Sequence, residues 1–296
     1  MIPADDLSAA ALPPGYAIAP MTRTEADTLG VWAAEEGWNP GLADIDVAWG
    51  FDPEAFIALR KEGALAGGAT IITYGDAAGF LGLFIMRRDL RGQGLGRILW
   101  QELLRRQQAR LKPAAPIGLD GVFDMAPFYA ADGFQMLYRD LRYEGTASGI
   151  ADAAAVPLGE IGRDELDAYD AAVSGIARAG FMHRWLAVPG GKGFAFRQSN
   201  GSLAGYGFAR PCRSGYKIGP LYADDATVAA RLLETLLAAI AGAPVALDVP
   251  EPNAAALALV EKRGWRQSFG CARMARGTAS TSETGRIFGV TSFEFG

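Results

Sequence analysis

The sequence has little histidine and cysteine and no long apolar run. His183 is the only histidine among 296 residues, which argues against a histidine-based metal site and against Ser-His-Asp chemistry. The two cysteines, Cys212 and Cys271, imply no disulfide framework and indicate a cytoplasmic protein. No run reaches about 18 uninterrupted apolar residues, so we expect no transmembrane helix and no membrane partner.

An excess of positive charge is also missing. The chain has 28 basic and 33 acidic residues, for a net charge of −5, which argues against nucleic acid as a principal partner. Half of the residues are hydrophobic, and a chain of this length can bury two cores. Residues 1–14 contain two aspartates and no positive segment, so they are interpreted as a loose leader rather than a signal peptide.

The most informative segment joins an apolar strand to a helix. The strand runs from Phe80 to Met86, and the helix from Leu95 to Leu111. Between them lies a glycine-rich turn, Arg91-Gly92-Gln93-Gly94-Leu95-Gly96. Such a turn directs several main-chain N–H groups at one point, where the helix dipole adds positive potential. The segment therefore predicts a cradle for a diphosphate, flanked by Arg91 and Arg97.

Spacing separates this cradle from other glycine-rich loops. A Walker loop ends in Gly-Lys-Ser/Thr, whereas Gly96 is followed by Arg97-Ile98. A Rossmann loop has the spacing G-x-G-x-x-G, which differs from the G-x-G-x-G found here. Together with the later Phe128-Tyr129-x-x-x-Gly133-Phe134, the loop resembles the acyl-CoA loop of the GNAT superfamily of N-acetyltransferases.

The predicted order of elements occurs twice. Strands and helices over residues 15–145 follow the GNAT arrangement, and the same order returns over 156–296, after a small polar linker at 146–155. We therefore expect an α/β (α+β) fold with two GNAT-like domains, each a mixed, mostly antiparallel sheet flanked by helices. The second copy has Asp224-Asp225 where a cradle would lie, so only the first is expected to bind a diphosphate. The tail Ile287 to Phe295 alternates like a strand that closes a sheet edge or bridges the halves.

Further segments resemble a bacterial branch of the superfamily with tandem domains, and this resemblance implies acetyl-CoA as donor and an amine as acceptor. The segments are Glu36 to Gly41, Leu119 to Val122, Gly215 to Leu221 and Leu247 to Asn253. The resemblance also implies a set of residues that bind acetyl-CoA: Phe84, Ile85, Met86, Arg91, Gly92, Gln93, Gly94, Leu95, Gly96 and Arg97.

Tyr129 matches the tyrosine that protonates the CoA thiolate in many of these enzymes, with packing beneath the cofactor as the alternative role. An asparagine often lies seven residues before this tyrosine, and Val122 replaces it here. In the second copy Asn253 is present, but Val260 has the tyrosine's position. The proton donor is therefore expected in the first copy alone.

Several carboxylates are candidates for the general base. Glu35 and Glu36 end the first helix, where acceptor sites open in this fold, and Asp120 ends a strand; water-relayed deprotonation is the alternative. The expected acceptor-site residues are Trp38, Asn39, Asp120 and Tyr216. For aromatic residues, core packing is the competing interpretation.

These observations predict an N-acetyltransferase that moves an acetyl group from acetyl-CoA to a primary amine of a small molecule. Direct attack in a ternary complex is expected, because no cysteine lies near the cradle to carry the acyl group. The second domain would shape the acceptor cleft. The alternatives are a non-catalytic acyl-CoA sensor and a protein-lysine acetyltransferase. No metal is expected, and the oligomeric state is left between monomer and homodimer.

Overall fold

The computed structural model describes residues 12–278 and 281–296, so most of the predicted leader at 1–14 lies outside the described residues. The α-helices within this part are α1 Arg23–Glu35, α2 Asp44–Phe51, α3 Leu95–Ala109, α4 Ala126–Ala130, α5 Arg163–Ser174, α6 Ala179–Trp185, α7 Ala226–Ala239 and α8 Ala254–Lys262. The strands are β1 Tyr16–Pro20, β2 Phe56–Lys61, β3 Ala64–Tyr74, β4 Ala78–Met86, β5 Ile117–Val122, β6 Gln135–Thr146, β7 Val156–Pro157, β8 Lys192–Arg197, β9 Leu203–Pro211, β10 Tyr216–Ala223, β11 Pro244–Pro250, β12 Arg266–Arg276 and β13 Ile287–Gly289.

These strands form one continuous mixed sheet. Its order is β1-β2-β3-β4-β5-β12-β6-β11-β10-β9-β8-β7, and β13 pairs with β10 outside this path. The pairs β4/β5 and β10/β11 are parallel, whereas the other pairs are antiparallel. The fold is thus α/β of the α+β kind, with largely antiparallel pairing in each half, as the sequence predicts.

The two halves exchange their last long strands. β12 comes from the second half and pairs with β5 of the first, while β6 from the first half pairs with β11 of the second. β6 and β12 then pair with each other at the centre of the sheet. Each half is therefore completed by a strand of the other.

Each parallel pair separates partway along its length. The register of β4 with β5 ends at Leu81 and Leu119, next to an irregularity at Leu83, where φ is +51°. The register of β10 with β11 ends at Ile218 and Leu247. Beyond these points the inner edges of β4 and β10 diverge from their parallel neighbours, which leaves a gap in each half.

Helices cover both faces of the first half. A Cβ at Gly79 would meet Gln107 of α3, whereas a Cβ at Gly82 would meet the main-chain carbonyl of Glu294. The face opposite α3 therefore carries the C-terminal tail. α1 begins with a capping box, in which Thr22 accepts from the N–H of Glu25 and the Glu25 carboxylate accepts from that of Thr22.

Two local predictions are wrong. The residue pattern predicts a short helical piece near Asp52 to Ala55, but the helix begins earlier, as α2, and only a 3-10 turn covers 53–55. Aromatic and β-branched residues and the lack of a side-chain cap hide α2 from propensity arguments. The tail is a strand only over Ile287–Gly289, since Ser292 then makes a local turn by accepting from the N–H groups of Glu294 and Phe295.

The tail bridges the halves, as expected. It pairs with β10 of the second half, and further on the hydroxyl of Tyr74 on β3 donates to the carbonyl of Phe295 at 2.5 Å. Within the described part of the chain, no helix has the length and apolar character that crossing a bilayer requires.

Candidate functional site

The glycine-rich turn at the start of α3 presents open main-chain donors. Gly92 and Gly94 have φ of +74° and +79°, a conformation that favours glycine. Gly94 is the N-cap of α3, and no side chain caps the helix. Among the described residues, no partner is found for the N–H groups from Gly92 to Gly96. The turn therefore has the donors and the space that an anion at a helix N-terminus requires.

Ion pairs fix the arginines beside the turn. Arg91 donates from Nε to the carbonyl of Met86 at 2.9 Å and from Nη2 to Glu36 at 2.8 Å. Arg97 pairs with Asp132 through two bonds of 2.5 and 2.9 Å. These contacts connect the turn to the end of β4 and to α1, so they hold it in shape before any ligand binds.

A narrow cavity occupies the gap between β4 and β5, and we call it the slot. Its volume is about 50 Å³, which is small because aromatic side chains surround it. The slot is lined by Trp38, Leu81, Gly82, Leu83, Phe84, Trp100, Leu119, Asp120, Val122, Phe269, Cys271, Phe293 and Glu294. Three of the predicted site residues, Trp38, Phe84 and Asp120, are thus brought together, and Ile85 and Met86 continue the open edge of β4.

Other predicted acceptor residues lie elsewhere. Asn39 bonds main-chain atoms of Ser214 through both ends of its amide, so it joins the halves and does not line the slot. Tyr216 packs in the core of the second half. Glu35 is exposed, and the contact recorded for it is through its carbonyl, which accepts from Arg88.

The remaining predicted bases are engaged by arginines. The hydrogen bond from Arg91 holds the pKa of Glu36 below its ordinary value. Both oxygens of Asp120 accept from Arg273 at 2.6 Å. Burial nevertheless raises the pKa of Asp120 to about 6, and Arg273 opposes that rise. Arg273 thus engages both oxygens of Asp120, whereas Arg88 and Arg91 both donate to Oε1 of Glu36.

Tyr129 lies against the strand that borders the slot. Its ring occupies the space where Gly121 of β5 lacks a Cβ, and it packs on Trp100 with ring centroids 4.9 Å apart. Burial raises the pKa of Tyr129, and the nearby Cys271 adds to the rise. The phenol therefore stays protonated at neutral pH, as a donor to sulfur must be, and its role as the acid stays a prediction.

The slot contains residues that the sequence analysis missed. Phe269 and Cys271 come from β12, and Phe293 and Glu294 come from the tail. These residues follow Asp120 by 149 to 174 positions in the chain, so no local spacing connects them with the glycine-rich turn. The tail alternation, which predicted a bridge between the halves, was the one usable signal for Glu294.

The expectation that no cysteine lies near the donor site needs correction. The exchanged strand β12 brings Cys271 into the slot wall, where it lies opposite Val122 of β5. Burial raises the pKa of Cys271 well above its ordinary value. A buried, protonated thiol is a poor nucleophile, so the site holds a cysteine without the features that activate one.

In the second half, the chain occupies the equivalent positions itself. Asp225 accepts from the N–H groups of Thr227 and Val228, so the α7 donors that would meet a phosphate are already bound. β13 pairs with β10 beyond the point where β10 and β11 separate. Asn253 donates to the carbonyl of Ile287 at 2.8 Å and thereby holds β13 in the gap.

A larger cavity of about 270 Å³ adjoins the slot on the tail side of the sheet. Phe80, Tyr138 and Met274 line it together with Arg178, Arg273 and Gly296. Arg273 borders this cavity while its partner Asp120 borders the slot. The ion pair therefore lies between the two spaces.

Family comparisons agree with this geometry. Residues 22–134 match the Acetyltransferase (GNAT) family model, and residues 166–289 match an Acetyltransferase (GNAT) domain model. A curated relative, the holothin acyltransferase of Pseudoalteromonas sp. (strain SANK 73390), is 26% identical over 280 residues, covering 94% of this chain and 93% of the relative.

Solved structures share the fold over nearly the whole chain. A protein from Pyrococcus horikoshii superposes with a TM-score of 0.82 at 20% identity, covering 97% of this chain and 98% of the other. A tandem GNAT protein from the clavulanic acid biosynthesis pathway gives 0.63 at 14% identity, covering 88% and 98%. GNAT proteins use acyl-CoA as donor. With both halves matched, this chain belongs to the GNAT superfamily and is an acyltransferase that carries two GNAT domains.

Proposed function

We propose that this chain transfers the acetyl group of acetyl-CoA to a primary amine of a small molecule, at a single site in its first half. One observation carries the proposal. In the first half, the N-terminus of α3 and the inner edge of β4 are both open, whereas in the second half Asp225 and β13 take up the equivalent positions.

The residues at the open site fit the parts of an acyl-CoA molecule. The amides from Gly92 to Gly96 would bind the diphosphate, with Arg91 and Arg97 beside them. The main chain of Phe84, Ile85 and Met86 would pair with the amides of pantetheine, because that strand edge has no neighbour. When bound there, acetyl-CoA supplies an activated thioester carbonyl.

Direct transfer to the amine is favoured over transfer through the protein. Burial keeps the Cys271 thiol protonated, and a thiol reacts far more slowly than a thiolate. Tyr129, which is also protonated, is proposed as the group that gives a proton to the departing sulfur. Trp38 and Asp120 would form part of the wall around the acceptor.

The closed surroundings of the slot support a small acceptor. Trp38 and Phe293 are among the residues that line it, and its volume of about 50 Å³ leaves little room for a peptide. We assign donor binding to residues 15–145, acceptor shaping to 156–296 and the link between them to 146–155. The buried free cysteines agree with a reducing compartment such as the cytoplasm.

A thiol-release assay tests this function. Purified protein is incubated with acetyl-CoA and, one at a time, amino acids, polyamines, holothin and lysine-containing peptides; holothin is included because a relative at 26% identity is named for it. We expect release of CoA with one class of small amine, and an equal amount of acetylated product by mass spectrometry.

Three other outcomes would contradict the proposal. Acetylation of peptides in preference to small amines would indicate a protein-lysine acetyltransferase. Tight binding of acetyl-CoA without turnover on any amine would indicate a sensor. Accumulation of acetylated Cys271 during turnover would exclude direct transfer.

A further inference from the structure

We propose that Glu294, carried into the slot by the C-terminal tail, accepts the proton of the attacking amine. The inference rests on the proposed function and deepens it, because it names the base and gives the second half a part in the chemistry. Its basis is that Glu294 lines the slot between β4 and β5, the gap in which the thioester would lie.

Geometry supplies the first argument. Glu294 is 4% exposed and lines the slot beside Phe84 of β4 and Asp120 of β5. Its main-chain carbonyl lies where a Cβ of Gly82 would be, so only glycine at that position lets the tail approach β4 this closely. Glu294 therefore lies where β4 and β5 separate, which is where a thioester held by the β4 edge would meet an acceptor.

The hydrogen bonds of the carboxylate supply the second argument. Ser292 donates from Oγ to Oε2 of Glu294 at 2.6 Å. No described residue donates a hydrogen bond to the other carboxylate oxygen, Oε1. The free oxygen is thus available to an N–H group of an amine.

Comparison with the other carboxylates supplies the third argument. Arg273 holds both oxygens of Asp120, and Arg88 and Arg91 engage Glu36. No arginine or lysine forms an ion pair with Glu294 among the described residues. Of the two carboxylates that line the slot, Asp120 and Glu294, only Glu294 has an oxygen to which no described residue donates.

Several charged and titratable groups lie around Glu294. Lys217 of β10 is 2% exposed and donates to the carbonyl of Trp38 at 3.0 Å. Burial lowers the pKa of Lys217, and the Glu294 charge opposes that effect. The other titratable or charged groups that interact with Glu294 are Arg142 of β6, Arg210 of β9, Cys212 and Cys271.

The tail holds the carboxylate rigidly. The Ser292 hydroxyl accepts from the N–H groups of Glu294 and Phe295, and the Phe295 ring packs against Phe181 and Trp185. A base in a fixed position loses little entropy in the transition state. The neighbours of Glu294 thus prepare it for proton transfer.

The proposed step moves the acetyl group from sulfur to nitrogen. The nitrogen lone pair of a neutral primary amine forms a bond to the thioester carbonyl carbon, and the C–S bond breaks with its electron pair remaining on sulfur. One N–H proton passes to Oε1 of Glu294, and sulfur takes a proton from Tyr129. Glu294 later releases its proton to solvent while Tyr129 regains one, so the products are an amide and free CoA.

Glu294→Gln tests the proposal, with the amine that gives the highest turnover in the panel above as probe. General bases contribute about 10²- to 10⁴-fold, so we expect kcat to fall by that order and the acidic limb of the pH profile to disappear. Glu294→Asp, which restores a carboxylate one carbon shorter, should recover part of kcat. Calorimetry should give an unchanged affinity for acetyl-CoA in both variants, which shows that the donor site is intact.

Glu251→Gln is the matched control. Glu251, which follows β11, pairs with Arg139 of β6, and neither residue lines the slot, so this variant should keep wild-type kinetics. Suppose that the wild type is active and that Glu294→Gln keeps kcat within about threefold of it, with the same pH profile. This result would overturn the role of Glu294 but leave the proposed function standing. Loss of acetyl-CoA binding in Glu294→Gln would show a structural role instead. A wild type without turnover on any amine would overturn the proposed function as well.

Discussion

At the centre of the sheet, the buried side chains of Asp120 and Asp140 lie close together. Arg273 pairs with Asp120 at 2.6 Å and lies 3.4 Å from Asp140. Burial raises the pKa of Asp140 well above its ordinary value, Arg273 opposes the rise and Asp120 adds to it. No described residue donates a hydrogen bond to either Asp140 oxygen. A protonated Asp140 that donates to Asp120 satisfies this arrangement.

The first prediction concerns Asp140→Asn. The folded protein keeps a proton on Asp140 at pH values where the unfolded chain has lost it. Asp140 therefore lowers the free energy of unfolding increasingly as pH rises from about 4, the pKa in the unfolded chain, to the raised pKa of Asp140 in the folded protein. Asparagine can donate to Asp120 without titrating. The free energy of unfolding of the variant, measured by urea denaturation, should therefore rise relative to wild type between pH 4 and pH 8.

Asp248→Asn is the control, because it should lower the free energy of unfolding rather than raise it. Burial alone would raise the pKa of Asp248, but Arg142 reverses this and lowers the pKa below its ordinary value. The substitution leaves the Arg142 charge buried without its partner, which costs about 3–5 kcal/mol. Destabilisation by both variants at pH 8 would show that Asp140 is ionised in the folded protein.

The N-terminus of α3 allows a charge effect to be separated from backbone strain. Gly94 has φ of +79°, and a Cβ there meets nothing within 4 Å. The second prediction is that Gly94→Ala and Gly94→Glu are strained alike, whereas only glutamate repels a diphosphate. A charge at a helix N-terminus is worth about 0.3–1 kcal/mol, so Gly94→Glu should bind CoA roughly two- to fivefold more weakly than Gly94→Ala by calorimetry. Equal affinities of the two variants for CoA would show that this turn does not bind the diphosphate.

The element that fills the second gap, β13, depends on Asn253. Its Oδ1 caps α8 by accepting from the N–H of Ala256, while Nδ2 donates to the carbonyl of Ile287. The third prediction is that Asn253→Asp keeps the cap but loses the bond to the tail. Hydrogen exchange should therefore speed up at Val290, whose N–H donates to the carbonyl of Asp248.

Asn253→Ala removes both interactions and serves as the comparison. It should speed exchange at Val290 to a similar extent and also lower stability by about 1 kcal/mol through loss of the cap. Unchanged exchange at Val290 in Asn253→Asp would mean that the strand pairing alone holds the tail.

For the whole molecule, the exchange of β6 and β12 determines whether the halves can exist apart. A chain cut after Ile150, which is 79% exposed and lies in an irregular segment, separates β6 from β11 and β5 from β12. The fourth prediction is that fragments 1–150 and 151–296 do not unfold cooperatively when alone, because each exposes a long unpaired strand edge. Expressed together, they should form a one-to-one complex by size-exclusion chromatography. A monomeric 1–150 fragment that binds CoA would contradict this.

Local signals in the sequence predict most elements but not this exchange. The capping box at Thr22 and the glycines at 92 and 94 each depend on residues close together in the chain. β6 and β12 have the same strand pattern, and either could pair with β5 or β11, so their partners follow from packing of the whole molecule. The slot is predictable in part for the same reason: Phe84 and Asp120 have local signals, whereas Cys271 and Glu294 arrive through the exchanged strand and the tail.

The exchanged strands bear on the evolution of a duplicated enzyme. After a duplication each copy has its own catalytic site, and a redundant copy is usually lost. In this chain the second half has its gap filled by its own tail strand, β13, yet it supplies the first half with the central strand β12. Removing the second half would therefore leave one edge of β5 unpaired and take Glu294 out of the slot, so selection for the open site also preserves the closed copy.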